Sequence, residues 1–236
     1  KHVGLNVCAD PFVNSGMTGT DGGLVVLVAD DPSMHSSQDE QDSHFYGKFA
    51  MVPTLEPSSQ QEAYDMMQEA FDLSEQLHLP ILMRVTTRMA HSRAVVEVKD
   101  EPREQNALNY NAQASNWVLL PAFARKRNIV VTGQQPLLEQ MAVESKYNKY
   151  IEGQDHKLGI IASGIAYNYL MECFPNGCPY PVLKISQYPI PKKLIRRMTD
   201  DCEYVLVAEE GQPFIEDQVR GVMPGNAVIK GRLTGE

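Results

Sequence analysis

No run of apolar residues in this sequence is long enough to cross a bilayer. The best candidate, residues 24–29 (LVVLVA), has the length of a strand and is followed at once by Asp30 and Asp31. Basic residues are scarce too. Against 30 acidic residues stand 21 Lys and Arg, a net charge of -9, which argues against a nucleic-acid partner because such partners need a concentrated basic surface. The one basic cluster, Arg125-Lys126-Arg127, is too short to change that and reads as a solvated turn before the next strand. Cysteine is thin as well. Cys8, Cys173, Cys178 and Cys202 match no zinc or iron–sulfur spacing, so they read as isolated reduced thiols of a cytosolic protein, with no metal ligand set in this chain. The single Trp, Trp117, reads as a packing anchor. Neither an initiator Met nor a signal peptide opens the sequence at Lys1, which is expected of a piece of a longer chain.

What is present suits a cytoplasmic globular protein. With 236 residues, 43% of them hydrophobic and 22% charged, the chain can build one large domain or two smaller ones. Its first half alternates strand-like and helix-like segments. Residues 24–29 form a continuous apolar run typical of a strand covered on both faces, and 52–55 a shorter strand. Ser59 and Glu62 have the spacing of a capping box. Ala63, Met66, Met67, Ala70, Phe71 and Leu77 then repeat at helical spacing, and residues 81–87 read as the next strand. Residues 100–127 break the pattern and read as a linker, with the Asn-, Ala- and Gln-rich stretch 106–116 crossing the surface. In the second half a helix is expected to start at Pro136 and run to Tyr147. Strands are expected at 158–162, 182–185 and 204–208, with helices at 165–173, after Pro191, and after Pro213. Strand, helix, strand in this order implies parallel sheets, with ligands met by loops at the strands' carboxyl ends.

Two such loops carry candidate chemistry. Residues 30–44 are densely polar, and hydroxyls, amides and a His after a buried strand could grip a carboxylate or ketone oxygen. Equally, Ser37 and Glu40 could form a capping box that starts a surface helix. The acids there could suggest magnesium but read better as a solvated loop. In the second loop, His91-Ser92-Arg93, Arg93 could bind an anion or merely pair with a nearby acid. Ser163-Gly164 stands where an anion site or a plain helix cap would, and Glu209-Glu210-Gly211 reads as acids before a helix N-terminus.

Several strings go further. Residues 1–7 (KHVGLNV), 9–11 (ADP), 22–26 (GGLVV), 28–32 (VADDP), 35–38 (HSSQ) and 40–43 (EQDS) resemble the pyrimidine-binding domain of indolepyruvate ferredoxin oxidoreductase alpha subunits. These belong to the thiamine-diphosphate-dependent 2-oxoacid:ferredoxin oxidoreductases. Residues 86–88 (TTR), 91–93 (HSR), 120–125 (LPAFAR), 163–169 (SGIAYNY) and 213–216 (PFIE) match the same family in the same order. The resemblance implies an α/β chain with part of a thiamine pyrimidine-binding parallel-sheet domain at 1–99, a linker at 100–127 and a transketolase C-terminal-like α/β domain at 128–236. It implies oxidative decarboxylation of aryl pyruvates with coenzyme A, electrons passing to ferredoxin, and a beta subunit or oligomer. His2 and Asn6 are then placed beside the cofactor, and Ser36, Ser37, Gln41 and Arg93 toward the substrate. The family's cofactor-activating glutamate is expected upstream of Lys1. Its Mg2+–diphosphate motif and 4Fe–4S cysteines are expected beyond Glu236, so this chain alone is expected to be inactive and to bind none of these cofactors.

Overall fold

The computed structural model describes residues 2–99, 107, 114–222 and 228–231. Helices α1 (His2–Val7) and α2 (Ala9–Thr18) precede strand β1 (Val25–Asp30). Then follow α3 (His44–Ala50), β2 (Thr54–Leu55), α4 (Gln60–Leu77), β3 (Ile81–Thr86) and α5 (Thr87–His91). After α6 (Ala114–Trp117) and the long α7 (Pro121–Glu144) come β4 (Lys149–Ile151), β5 (Leu158–Ser163), α8 (Gly164–Cys173) and β6 (Val182–Ile185). The chain continues through β7 (Gln187–Tyr188), α9 (Lys192–Asp201), β8 (Tyr204–Ala208), α10 (Phe214–Val222) and β9 (Val228–Lys230).

Two sheets result. The first has the order β1-β3-β2-β7, with β1, β3 and β2 parallel and β7 antiparallel to β2. The second has the order β4-β6-β5-β8-β9, parallel except for β4. This is the α/β architecture expected from the alternation of strands and helices. One feature was invisible in that pattern. After β6 the chain leaves the second sheet, and β7 pairs with β2 through Thr54↔Tyr188 and Leu55↔Gln187. Asn148 holds the crossing, its Oδ1 accepting from Ser186 N–H (2.7 Å) and Gln187 N–H (2.9 Å). A two-residue strand carries too little hydrophobic signal to be read from sequence.

Helix α4 forms as its pattern requires. Ser59 caps it by accepting from Glu62 N–H (3.2 Å), and Met66, Ala70, Ser74 and Leu77 are its buried stripe. Glu62 reaches back to Ser58 N–H rather than to that of the cap residue. Strand β1 departs from expectation, because it is covered only in part: it lies at the edge of the described sheet and Leu27 is 55% exposed. Helix α7 starts fifteen residues earlier than Pro136, with Pro121 at its first turn, and takes in Arg125-Lys126-Arg127, which is therefore not a turn. Pro136 lies inside it, and the Gln135 side-chain amide donates to the Val131 carbonyl in the turn that the proline ring disturbs (3.1 Å). Arg127 donates to the Met17 carbonyl near the C-terminal end of α2 (2.9 Å), a favourable place for a cation. Trp117 is half-exposed beside it. Of the surface crossing expected over 106–116, residues 106 and 108–113 lie outside the described residues, and Ala114 to Asn116 belong to helix α6.

Candidate functional site

Parallel strands deliver their following loops to one edge, and here the carboxyl edges of the two sheets meet. Asp30 ends β1, Glu56 follows β2, and Arg84 lies near the end of β3. From the second sheet, Gly164 opens α8 directly after β5 and Gly211 lies in the β8–α10 turn. Both glycines have positive φ, +49° and +99°. A Cβ on Gly164 would stand 2.7 Å from Glu56 Oε1, and one on Gly211 would stand 2.9 Å from Asp42 Oδ2. Only a residue without a side chain lets the two edges approach this closely.

Arg84 is the hub of the junction and is fully buried. A guanidinium out of water must be paired. Its Nε donates to Asp30 Oδ2 (2.7 Å) and lies 3.5 Å from Asp42 Oδ1, one Nη binds Glu56, and the other donates to the Glu210 carbonyl (3.0 Å). His44 lies between Asp42 Oδ1 (2.7 Å) and Glu56 Oε2 (3.1 Å). Burial alone would lower the His44 pKa, but Asp42 and then Glu56 outweigh it and hold the imidazole at about 9 despite Arg84. With both ring nitrogens protonated, each donates to its carboxylate. Burial pushes Glu56 up, yet His44 and Arg84 bring it down to about 2, and Asp42 is held below the usual carboxylate range in the same way. The Tyr188 hydroxyl, from β7, donates to Glu56 Oε2 (2.6 Å). Glu209 is the exception: its oxygens accept from Ile215 and Glu216 N–H at the start of α10, but burial raises it to about 7.

Above this base stands the loop 31–43, and no helix begins within it. Glu40 accepts from Ser33 N–H (2.6 Å), so it does not complete a capping box with Ser37. Asp31 gathers the loop inward, accepting from Ser36 N–H (2.8 Å), His35 N–H (3.1 Å) and the Thr87 hydroxyl (2.7 Å). The Ser36 bond, followed by that of Thr87, holds its carboxyl well below the ordinary range. Ser33 and Met34 both take left-handed backbone angles, φ 65° and 54°, which non-glycine residues adopt at a cost.

The structure brings some of the expected residues together. His2 is buried in α1, with Asp39 Oδ1 3.8 Å from its Nε2, and Gln41 donates to the other Asp39 oxygen (2.9 Å). Both ring nitrogens of His2, Gln41 Oε1 and Ser37 Oγ are buried without a hydrogen bond of ordinary geometry, although Ser37 lies near enough to Asp31 to help keep it ionised. Buried polar atoms left unpaired are costly; Thr86 Oγ1, at the carboxyl end of β3, is another. Ser36 is exposed and contributes its backbone N–H. Asn6 is exposed and its Oδ1 accepts from Tyr46 (2.6 Å). Arg93 is exposed beyond the end of α5, next to Ser92, which bonds Gln60 at the start of α4. The sequence reading passed over Arg84, Glu56 and Tyr188. An Arg inside the apolar strand ILMRVT was the available signal, since a charge in a buried strand demands partners.

Two α/β sheets meeting carboxyl edge to carboxyl edge, with buried polar atoms over the junction, place these loops where α/β proteins hold their ligands. The family model described as "Pyruvate flavodoxin/ferredoxin oxidoreductase, thiamine diP-bdg" matches residues 28–157, more than half of the chain. The chain belongs to that family. It is 42% identical over 238 residues to the indolepyruvate oxidoreductase subunit IorA of Archaeoglobus fulgidus, with 100% of this chain and 38% of that protein covered. The same subunit of Methanothermobacter thermautotrophicus is 42% identical over 241 residues, with 100% and 39% covered. That of Thermococcus kodakarensis is 40% identical over 229 residues, with 93% and 35% covered. The chain therefore spans less than two fifths of these relatives. A solved 2-oxoglutarate:ferredoxin oxidoreductase from Magnetococcus marinus, with 2-oxoglutarate, coenzyme A and succinyl-CoA bound, shares the fold. Its TM-score is 0.67 at 12% identity, over 97% of this chain and 48% of that one.

Proposed function

We propose that this chain is the thiamine-facing core of an indolepyruvate-type 2-oxoacid:ferredoxin oxidoreductase subunit. The observation that carries this reading is the set of buried polar atoms without an ordinary hydrogen bond on His2, Ser37 and Gln41, in a chain similar along its whole length to indolepyruvate oxidoreductase subunits. Thiamine diphosphate, when bound, supplies the carbanion chemistry by which a 2-oxoacid loses carbon dioxide. His2 suits the aminopyrimidine, because a buried imidazole with neither nitrogen in a hydrogen bond can donate or accept. Asn6 offers only its amide N–H groups beside it, its oxygen being taken by Tyr46. Ser37, Gln41 and the Ser36 segment orient the 2-oxoacid, and Arg93 attracts its carboxylate from outside. Glu56 does not exchange a proton with the cofactor, because both of its oxygens are engaged by Arg84, His44 and Tyr188. That role, the Mg2+, the 4Fe–4S clusters and the contacts to ferredoxin and a beta subunit are assigned to parts of the enzyme beyond these residues. The proposed domains remain 1–99 and 128–236 around the linker, with α7 running across the second boundary and β7 crossing back to the first sheet, and the enzyme is proposed to work in the cytoplasm, where its reduced thiols persist.

The test is arylpyruvate- and coenzyme-A-dependent dye reduction by a chain of the relatives' length, in a thiamine- and iron-replete holoenzyme. No reduction overturns the reading. Ser37→Ala and Gln41→Ala each lower kcat/KM for the arylpyruvate by about tenfold or more, the worth of one buried hydrogen bond. Unchanged turnover and affinity in both overturn the loop assignment.

A further inference from the structure

The contacts of Arg84 have a pattern that burial alone does not demand. Asp30 is the residue immediately before the loop 31–43, and Asp42 stands at its far end. Arg84 Nε reaches both, at 2.7 and 3.5 Å. Asp30 Oδ2 closes the loop further by accepting from the N–H and the hydroxyl of Ser43, each at 2.9 Å. Both feet of the loop thus stand on one guanidinium. The rest of that guanidinium binds Glu56 and the Glu210 carbonyl, so the same group ties the loop to the β8–α10 turn of the second sheet. The loop needs such a base: its first turn holds two left-handed non-glycine residues, and it carries Ser37 and Gln41 with atoms outside ordinary hydrogen bonds.

We propose that Arg84 is a positioning residue that clasps both feet of the loop 31–43 and sets Ser37 and Gln41 against the substrate without touching it. The planar fork matters as well as the charge, because a lysine ammonium cannot reach two loop feet, Glu56 and a carbonyl from one fixed geometry. The substrate part of this inference rests on the function proposed above, whereas the clasp itself does not.

The experiment is Arg84→Lys in the chain of the relatives' length, with two readouts. Backbone hydrogen exchange, which needs no activity, is expected to rise about tenfold or more over residues 31–43 and to stay unchanged in β5 and β6. In the holoenzyme, KM for the arylpyruvate is expected to rise about tenfold while KM for coenzyme A holds. Unchanged exchange over 31–43 in the folded variant overturns the clasp. Looser exchange with unchanged arylpyruvate KM keeps the clasp and overturns the positioning role. An inactive wild type overturns the proposed function and leaves the exchange result standing. Should Arg84→Lys not fold, Asp30→Asn releases one foot only and is expected to loosen 31–43 in the same way; protection equal to wild type overturns the clasp.

Discussion

Two polar regions lie one above the other in this molecule and follow opposite rules. In the lower one, Arg84, His44, Glu56 and Tyr188 are buried and engaged on nearly every side, while Asp30 and Asp42 each use one carboxylate oxygen and leave Asp30 Oδ1 and Asp42 Oδ2 without a hydrogen bond. In the upper one, the loop 31–43 and His2 leave buried nitrogen and oxygen atoms unpaired. Saturated hydrogen bonds at a buried charge hold a fold together, since removing one partner strands the others. Unsaturated ones are tolerated where a ligand completes them. Polarity by itself therefore says little about function, and the presence or absence of partners separates the two roles.

The sharpest way to break this contrast is to remove the hub. Arg84→Met leaves Asp30 without a cation and Asp42 and Glu56 with His44 alone, and is expected to cost about 3–5 kcal/mol in chemical denaturation. A loss comparable to that of a surface substitution would mean that the network contributes little to the fold.

The pH dependence of unfolding is the next test. His44 rises from 6.5 to about 9 in the fold, so its stabilisation is complete below pH 6.5 and is lost as pH climbs through 9. Glu56 falls from 4.5 to about 2, so its stabilisation is complete above pH 4.5 and is lost as pH drops through 2. Glu209 rises from 4.5 to about 7, so its contribution holds below pH 4.5 and is lost as pH climbs through 7. Thermal unfolding midpoints are thus expected to peak in mild acid and to fall on both sides. Glu209→Gln is expected to remove the fall between pH 4.5 and 7 and to leave that between 6.5 and 9. A flat profile from pH 7 to 9 would show that His44 is not protonated in the fold.

The smallest effect belongs to the loop. Ser37→Ala and Gln41→Ala are expected to change unfolding free energy by no more than about 0.5 kcal/mol, because Gln41 Oε1 has no hydrogen bond to lose and Ser37 Oγ only its weak contact with Asp31, which Ser36 N–H and Thr87 hold more strongly. A cost near that of Arg84→Met would merge the two regions into one structural unit.

Much of the scaffold was legible beforehand. The β3 run ILMRVT, the capped α4 and the β6 run VLKI carry strong periodic signals and stand where the pattern placed them. Glu209 capping α10 was readable from its place before a helix start. The early part of α7 was missed because Pro136 resembles a helix start, while Pro121 supplies the actual one. In the loop, Ser37 and Glu40 have capping-box spacing, but Asp31 and Ser33 claim the groups that a helix would have used.

By itself the sequence determined the strand–helix alternation, the α/β class and, through its motif strings, the family, because these depend on residues near one another along the chain. Only the tertiary structure decided that Arg84 joins Asp30, Asp42 and Glu56, that β7 crosses into the first sheet, and that His2 stands by Asp39 and Gln41. Those pairings join residues up to more than a hundred positions apart, and burial makes them obligatory only once the two carboxyl edges have come together.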